Sequence, residues 1–217
     1  MTQNTLDPEY AVKTERGTVL HDPPLAQFLF SDVRFSAVWL VVRVLLGWAW
    51  LQPGLNKLSD PDWMQTGVAL QSFWQKAVEI PAEGRPPIAF DWYRDFIQGM
   101  LDAGSYTWFA KLITFGEIIV GVALILGLFT GLFAFLGAFL NWNYIMAGSA
   151  SSNGLLGLGA VLLILAWKTA GYYGLDRWIL PRLGMSWEPP YARPAVRDKT
   201  GTAKDAPSST TRTRIPQ

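Results

Sequence analysis

The 217-residue chain has no cysteine and only one histidine, His21. These shortages exclude disulfides, thiolate nucleophiles, cysteine-based zinc sites, iron–sulfur clusters and bis-histidine haem ligation. The sequence also contains no GxGxxG, P-loop or HExxH motif and no paired Asp/Glu cluster. We therefore expect no metal site and no bound electron-transfer cofactor in this chain alone. Any redox role would need a diffusible carrier such as quinone, or a partner subunit that holds the metal.

Charge is scarce as well, because 16% of the residues are charged, against roughly a quarter in an average globular domain. Eighteen basic residues nearly cancel seventeen acidic ones, and we expect no nucleic-acid partner. The charges are also unevenly placed: Arg43 is the only one in 35–55, Glu117 the only one in 112–148, and 154–167 has none. Runs of about 20 apolar residues match a bilayer core about 30 Å thick. The sequence predicts an integral membrane protein in contact with the lipid bilayer.

The apolar runs predict four membrane-spanning helices, near residues 35–56, 109–128, 131–148 and 153–171. The second and third are divided at the glycine-flanked segment 127–131, because one helix over 112–148 would extend about 55 Å. The last two connections are very short, which implies antiparallel neighbours. The predicted fold is therefore all-α, with four transmembrane helices in an antiparallel bundle.

The segment 58–106, between the first two spans, has the pattern of a two-helix amphipathic insertion. Asp60-Pro61 is typical of a helix start, and apolar residues follow at helical spacing: Trp63, Gly67, Leu70, Trp74 and Ala77. A second helix is predicted from Asp91 to Gly104, with one stripe formed by Trp92, Phe96 and Met100. Both are too short and too polar to span. They would lie in the membrane interface, pack over the mouth of the bundle, or form a soluble lid with its own small core.

The flanking segments and the orientation follow from polarity and charge. Residues 1–33 are a polar N-terminal segment without the features of a cleaved signal peptide, 34–184 form the membrane domain, and 185–217 are predicted to be a disordered tail. Basic residues are concentrated in the two terminal segments, whereas the 56–109 connection has four against seven acids. The positive-inside rule then predicts an inner (plasma) membrane protein with both termini cytoplasmic and the insertion outside.

Arg43 and Glu117 are the charges that lie deepest in the predicted spans. Each is about eight residues from an end of its span, on opposite sides of the membrane, so that their levels differ by about 6 Å if the spans are aligned. This predicts an Arg43–Glu117 ion pair inside the bundle. Such a pair could simply hold two helices in register, or Glu117 could exchange protons while Arg43 holds an anion or polarises a carbonyl.

Other polar residues in the spans have two interpretations each. Asn141, at the level inferred for Arg43, could join its pocket or make an interhelical hydrogen bond. Lys57 and Lys111 fall at the outer interface, where snorkelling explains them, although they could also attract an anion. The tryptophans and Tyr144 near the span ends fit an aromatic belt, or a wall for a quinone ring.

The sequence resembles the DoxX-like family, which includes the DoxD-type membrane subunit of thiosulfate:quinone oxidoreductase. The order and spacing of several short motifs over residues 35–184 carry the resemblance. In the first span these are Arg43, Gly47, Gly54, Lys57 and Leu58, and in the second Gly116-Glu117, Gly121, Leu124 and 127–130. The ending resembles the family in 164–168, 174–177 and Leu180-Pro181.

The resemblance implies a four-helix membrane fold and quinone-linked sulfur oxidation, in which two thiosulfates become tetrathionate and two electrons reduce quinone. In this hypothesis the chain is a membrane subunit with catalytic residues Glu117, as a proton relay, and Arg43. Arg43 and Lys57 would attract the anionic sulfur compound or hold a quinone oxygen, and Asn141 would donate a hydrogen bond. The alternative is a non-catalytic accessory subunit of a larger respiratory or photosynthetic complex, with other membrane subunits or further copies of itself as partners. A small-anion transporter is a third hypothesis.

Overall fold

Helices make up about three quarters of the described chain. The computed structural model describes residues 11–14, 17–20 and 23–184, so that His21 and the tail predicted to be disordered, 185–217, lie outside the described residues. An N-terminal hairpin consists of β1 (Ala11–Thr14) and β2 (Gly17–Leu20). The helices are α1 (Pro24–Ser31), α2 (Ser36–Leu58), α3 (Pro61–Met64), α4 (Val68–Val78), α5 (Asp91–Asp102), α6 (Tyr106–Leu126), α7 (Thr130–Met146), α8 (Asn153–Leu165), α9 (Trp167–Ala170) and α10 (Asp176–Ile179).

The described residues up to Ile179 belong to one compact unit, and 180–184 belong to a second, in which Leu180–Leu183 form a 3₁₀ turn. Within the described chain, Val33–Leu58 and Tyr106–Leu126 are long and apolar enough to cross a bilayer. Their ends lie within three residues of the predicted ones. The predicted span 153–171 is not one helix, because α8 ends at Leu165 and α9 begins at Trp167.

The four longest apolar helices pack as a ring in which α2 lies against α6, α6 against α7, α7 against α8, and α8 against α2. The α2–α6 contact is the most extensive, because glycines allow the two backbones to approach closely. A Cβ atom on Gly121 would lie 2.7 Å from the backbone nitrogen of Leu51, and one on Gly47 would lie 2.9 Å from the carbonyl oxygen of Gly121. The core inside the ring is aliphatic and aromatic, with Leu46, Trp50, Val120, Leu124, Ala134, Ala160 and Leu163 among its buried members.

Helices α3, α4 and α5, here called the lid, cover the end of the ring where α2 ends and α6 begins, here called the lid end. The lid has its own cluster of buried residues, which includes Leu70, Trp74, Ala77, Ile88, Tyr93, Ile97, Ala110 of α6 and Ala147. The lid has three helices where the pattern predicted two. Gly67 interrupts the first predicted helix because it takes a left-handed conformation, with φ of 74°, and packs against the carbonyl oxygen of Tyr106.

The buried face of α5 differs from the predicted one. Tyr93 and Ile97 are each 4% exposed, whereas Trp92 and Phe96 of the predicted stripe are 59% and 52% exposed. The hydroxyl of Tyr93 donates to Asn143 of α7, whose side-chain and backbone oxygens both lie at 3.2 Å. Burial raises the pKa of the Tyr93 hydroxyl above its ordinary value, so that it stays protonated and remains a donor. This bond ties α5 to the last turn of α7.

Candidate functional site: a buried carboxylate at the lid end

Glu117 lies between α2 and α6 near the lid end, with its side chain 2% exposed. Gly54 of α2 makes room for it, since a Cβ atom on Gly54 would lie 3.1 Å from the Cβ of Glu117. Lys57 follows Gly54 by three residues, and residues at that spacing lie on the same helix face. The local sequence of α2 therefore supplies both the space for the carboxylate and a cation beside it.

Side chains from α2 and α7 meet at one carboxylate oxygen of Glu117, which lies on α6. The Nζ of Lys57 lies 2.5 Å from Oε1 of Glu117, and the hydroxyl of Tyr144, from α7, donates to the same oxygen at 2.7 Å. Lys57 also donates to the hydroxyl oxygen of Tyr144 at 3.0 Å. Lys57, Glu117 and Tyr144, here called the triad, thus form a closed set of charge-assisted hydrogen bonds.

The second carboxylate oxygen of Glu117 has no such partner. Its Oε2 is buried and makes no hydrogen bond to any of the described residues. Buried polar atoms are nearly always paired, and an unpaired one needs an explanation such as a catalytic role or a bound group. Oε2 therefore keeps its lone pairs available for a proton or for a hydroxyl donor.

Aromatic rings of the lid cover the triad. The Nζ of Lys57 lies 4.6 Å from the ring centroid of Trp63, in α3, and 5.4 Å from that of Tyr144. The ring of Phe73, in α4, meets Tyr144 edge-on with centroids 6.3 Å apart. The side chain of Lys57 nevertheless stays 16% exposed, so that the triad borders solvent through this lysine.

The predicted Arg43–Glu117 ion pair is wrong, because Glu117 pairs with Lys57. Glu117 is level with Gly54, eleven residues from Arg43 along α2, which separates the two levels by about 16 Å. Arg43 lies instead at the other end of the ring, against Gly127 in the turn between α6 and α7. The prediction failed because it placed the ends of the two predicted spans at the same level. The glycine contacts between α2 and α6 shift one helix along the other by several residues from that alignment.

Arg43 is 1% exposed and is packed between backbones. A Cβ on Gly174 would lie 2.5 Å from its Nη1, and its Nη2 donates to the carbonyl oxygen of Tyr173 at 3.2 Å. The charge of Asp176 acts on this guanidinium, although the two do not form a direct ion pair. Asp176 itself accepts hydrogen bonds from two backbone N–H groups at the start of α7, at 2.6 and 2.8 Å. Arg43 and Asp176 thus connect α2, the α6–α7 turn and the segment before α10.

Asn141 and Lys111 make no hydrogen bond to the triad, although Asn141 lies one turn before Tyr144 on α7. Asn141 is 1% exposed, and its Nδ2 donates to the carbonyl oxygen of Asn153 at 3.1 Å, which is the interhelical bond that the sequence left open. The prediction that Asn141 lies at the level of Arg43 is wrong, because Asn141 contacts the start of α8 at the lid end. Lys111 is exposed.

Tyr144, Trp63 and Asp176 are the residues that sequence reasoning missed. Tyr144 was predicted to lie in an aromatic belt or a wall for a quinone ring, and its hydroxyl was not considered as a donor to Glu117. Asp176 was noted only as part of the family pattern. Within the described residues, no three His, Cys, Asp or Glu side chains are placed to hold a metal ion.

We expect Lys57→Met to lower the free energy of unfolding by about 3 kcal/mol, because it leaves a buried carboxylate without its cation. Glu117→Gln should cost about 1 kcal/mol, since an amide oxygen still accepts the bonds of Lys57 and Tyr144. Chemical unfolding in detergent micelles measures both. Lys76→Met, which removes an exposed lysine from α4, is the matched control. Equal losses for Lys57→Met and Lys76→Met would contradict a buried ion pair.

Comparison with known protein families assigns the chain to one of them. The DoxX family model matches residues 38–149, which is more than half of the chain and includes all three triad residues. The protein belongs to the DoxX family and is a membrane protein. No curated protein and no solved structure matches the chain significantly.

Proposed function

We propose that this DoxX protein is a membrane subunit of a quinone-linked redox system and that the triad is its proton-exchanging site. The observation that carries the proposal is the asymmetry of Glu117. Its Oε1 is held by Lys57 and Tyr144, and its buried Oε2 has no partner. Reduction of a quinone by two electrons takes up two protons, and a buried carboxyl that borders solvent through a lysine is suited to supply them.

The proposal includes a bundle in which α2, α6, α7 and α8, the last continued by α9, all cross the bilayer. What supports it is the distribution of exposed apolar side chains, which ring the outward faces of α7 and α8 as well as those of α2 and α6. Examples on α7 and α8 are Leu132, Phe135, Phe139, Leu155, Leu158 and Val161. A protein of this size rarely exposes so many apolar side chains to water, whereas the hydrocarbon core of a bilayer accommodates them.

In the proposed orientation the termini are cytoplasmic and the lid lies outside the inner membrane. The bias of basic residues toward the terminal segments supports it. The triad then lies toward the outer side, where Lys57 is partly exposed. An anionic donor such as thiosulfate would meet this cation first.

The chemistry of the triad fits a quinone. The Nζ of Lys57 can donate to a carbonyl oxygen, and Oε2 of Glu117 can accept from a hydroxyl. When bound there, a quinone would supply the two-electron redox chemistry that this cysteine-free chain lacks. Tyr144 would position Glu117 and stay its donor. Arg43, predicted as a further site residue, lies about 16 Å from the triad along α2, and we assign it to helix packing. Asn141, also predicted as a site residue, lies one turn from Tyr144, and we propose that it supports the site by its hydrogen bond to Asn153.

A second candidate function is that of an accessory subunit without catalysis. It is favoured by the closure of the triad, because Lys57, Glu117 and Tyr144 satisfy one another and so hold α2, α6 and α7 together. In that case the triad would determine assembly, and turnover per assembled complex would not depend on it.

The test is thiosulfate-dependent reduction of a soluble quinone analogue by the purified complex in liposomes. We expect Glu117→Gln to lower turnover per assembled complex about 100-fold, the usual scale of general acid–base catalysis, and Tyr144→Phe to lower it less. Glu79→Gln makes the same chemical change at an exposed position and should leave turnover unchanged.

Assembly is measured in parallel by the yield of co-purifying subunits. Full turnover of the Glu117→Gln complex combined with a lower yield would establish the accessory function. If the wild-type complex does not reduce the quinone with thiosulfate, the redox proposal is overturned.

A further inference from the structure

Helix α5 has three faces. Tyr93 and Ile97 point into the lid cluster, and a polar face opposite them carries exposed Asp91, Asp95 and Gln98. Between these faces, on one side only, lie Trp92 and Phe96, four residues apart and therefore about 40° from each other around the helix. The corresponding position on the other side is taken by Arg94. The helix thus has an aromatic flank that neither the lid core nor the polar face accounts for.

The aromatic flank is continuous with the outward surface of α7. The ring of Trp92 meets that of Tyr93 with centroids 5.5 Å apart, and Tyr93 lies 6.3 Å from Trp142 of α7. The ring of Trp142 stacks on that of Phe139, one turn earlier in α7, with centroids 6.0 Å apart. Trp142 and Phe139 are 45% and 51% exposed. These ring contacts pass through Tyr93, which is buried, and place the aromatic flank of α5 beside the exposed rings of α7.

We infer that α5 is an interfacial helix that rests in the lipid headgroup region of the leaflet on the lid side, with Trp92 and Phe96 inserted among the lipids. This rests on the proposed crossing of the bilayer by α7 and not on the proposed redox activity. If lipid covers Phe139 and Trp142, it reaches the neighbouring flank of α5 without a gap. Tryptophan and phenylalanine beside a polar face are the residues that favour this depth.

The partner is the bilayer surface rather than a charged lipid. The described residues of α5 include three aspartates, Asp91, Asp95 and Asp102, against one arginine, Arg94. A net acidic face is repelled by anionic headgroups, so that apolar burial must supply the attraction. The contact should therefore form in zwitterionic vesicles and should not be strengthened by anionic lipid.

The absence of cysteine makes the test direct, because one introduced cysteine can be spin-labelled without removing any other. The variants are Trp92→Cys and Phe96→Cys on the aromatic flank, with Asp95→Cys and Gln98→Cys as controls on the polar face of the same helix. The full chain, or its complex if it co-purifies with one, is placed in phosphatidylcholine vesicles. Collision with oxygen, which concentrates in lipid, is compared with collision with a water-soluble nickel complex.

We expect labels at 92 and 96 to collide several-fold more with oxygen than with the nickel complex, and labels at 95 and 98 to show the reverse. Water-exposed values at all four positions would overturn the inference, since the lid would then stand clear of the bilayer. Low collision with both reagents at 92 and 96 would also overturn it, because a protein partner would then cover the flank. Neither outcome depends on quinone reduction, so the result is separate from that of the redox test.

Discussion

Substitution of Gly121 by valine is expected to separate α2 from α6 and to lower the free energy of unfolding by about 1–3 kcal/mol, the range for overpacked cores. The obstacle is backbone, which cannot move aside by changing rotamer. A Cβ at Gly121 would lie 2.7 Å from the nitrogen of Leu51 and 2.8 Å from the carbonyl oxygen of Gly47. Titration of the purified protein with a denaturing detergent, followed by helical circular dichroism, measures the loss.

The control lies on the same helix. A Cβ at Gly116 would meet only the Cδ1 of Leu140, at 3.9 Å, so that Gly116→Ala should be neutral or stabilising by up to about 1 kcal/mol from helix propensity. Because both changes replace glycine within α6, they differ mainly in what the added carbons meet. Equal destabilisation by Gly116→Ala and Gly121→Val would contradict the close approach of α2 and α6.

Asp176→Ala is expected to have a larger effect, about 3–5 kcal/mol, the scale for removing one member of a buried charged set. The carboxylate of Asp176 accepts from the N–H groups of Phe129 and Thr130 and is 1% exposed. Its removal leaves two buried donors without partners and withdraws the negative charge that acts on Arg43. The same detergent titration provides the measurement.

A double-mutant cycle separates the two contributions of Asp176. Arg43→Met combined with Asp176→Ala should cost less than the two single changes together, because the uncompensated guanidinium is gone. Asp95→Ala, at an exposed position of α5, is the control and should change stability by less than about 0.5 kcal/mol. Strict additivity of Arg43→Met and Asp176→Ala would show that the two residues do not interact.

The two helices long and apolar enough to cross a bilayer could be predicted from the sequence because this property depends only on local composition. Their relative register could not. It follows from which glycines of α2 meet which residues of α6, and a glycine carries no sign of its partner. Gly54 lies beside Glu117, and Gly47 lies beside Gly121. In this register Glu117 pairs with Lys57, whereas the counting of depths predicted a pair with Arg43.

The site was predicted in part, for a similar reason. Glu117 stood out because an isolated acid in an apolar run needs a partner. Lys57 was predicted as a snorkelling residue or a ligand for an anion or quinone, and not as the partner of Glu117. Tyr144 gives no such signal, since an aromatic residue near the end of a span is common. On α5 the periodicity predicted one stripe, formed by Trp92, Phe96 and Met100, whereas Tyr93 and Ile97 on the adjacent stripe are the residues buried in the lid cluster. The hydrogen bond of Tyr93 to Asn143 holds α5 in this orientation. The sequence of α5 alone does not reveal this bond, because Asn143 lies on α7.

The position of Glu117 along the ring has an electrical consequence. Glu117 is level with a point about 6 Å from the lid-side end of α2, but it lies near the middle of its own helix, about 16 Å from the start of α6 and about 14 Å from its end. A membrane potential of 100 mV is worth about 2.3 kcal/mol for each charge that crosses the whole field. If α6 spans the bilayer as proposed, a proton that reaches Glu117 from either side would cross about half of that field. Proton exchange at Glu117 would then depend on the membrane potential, by about 1 kcal/mol for 100 mV.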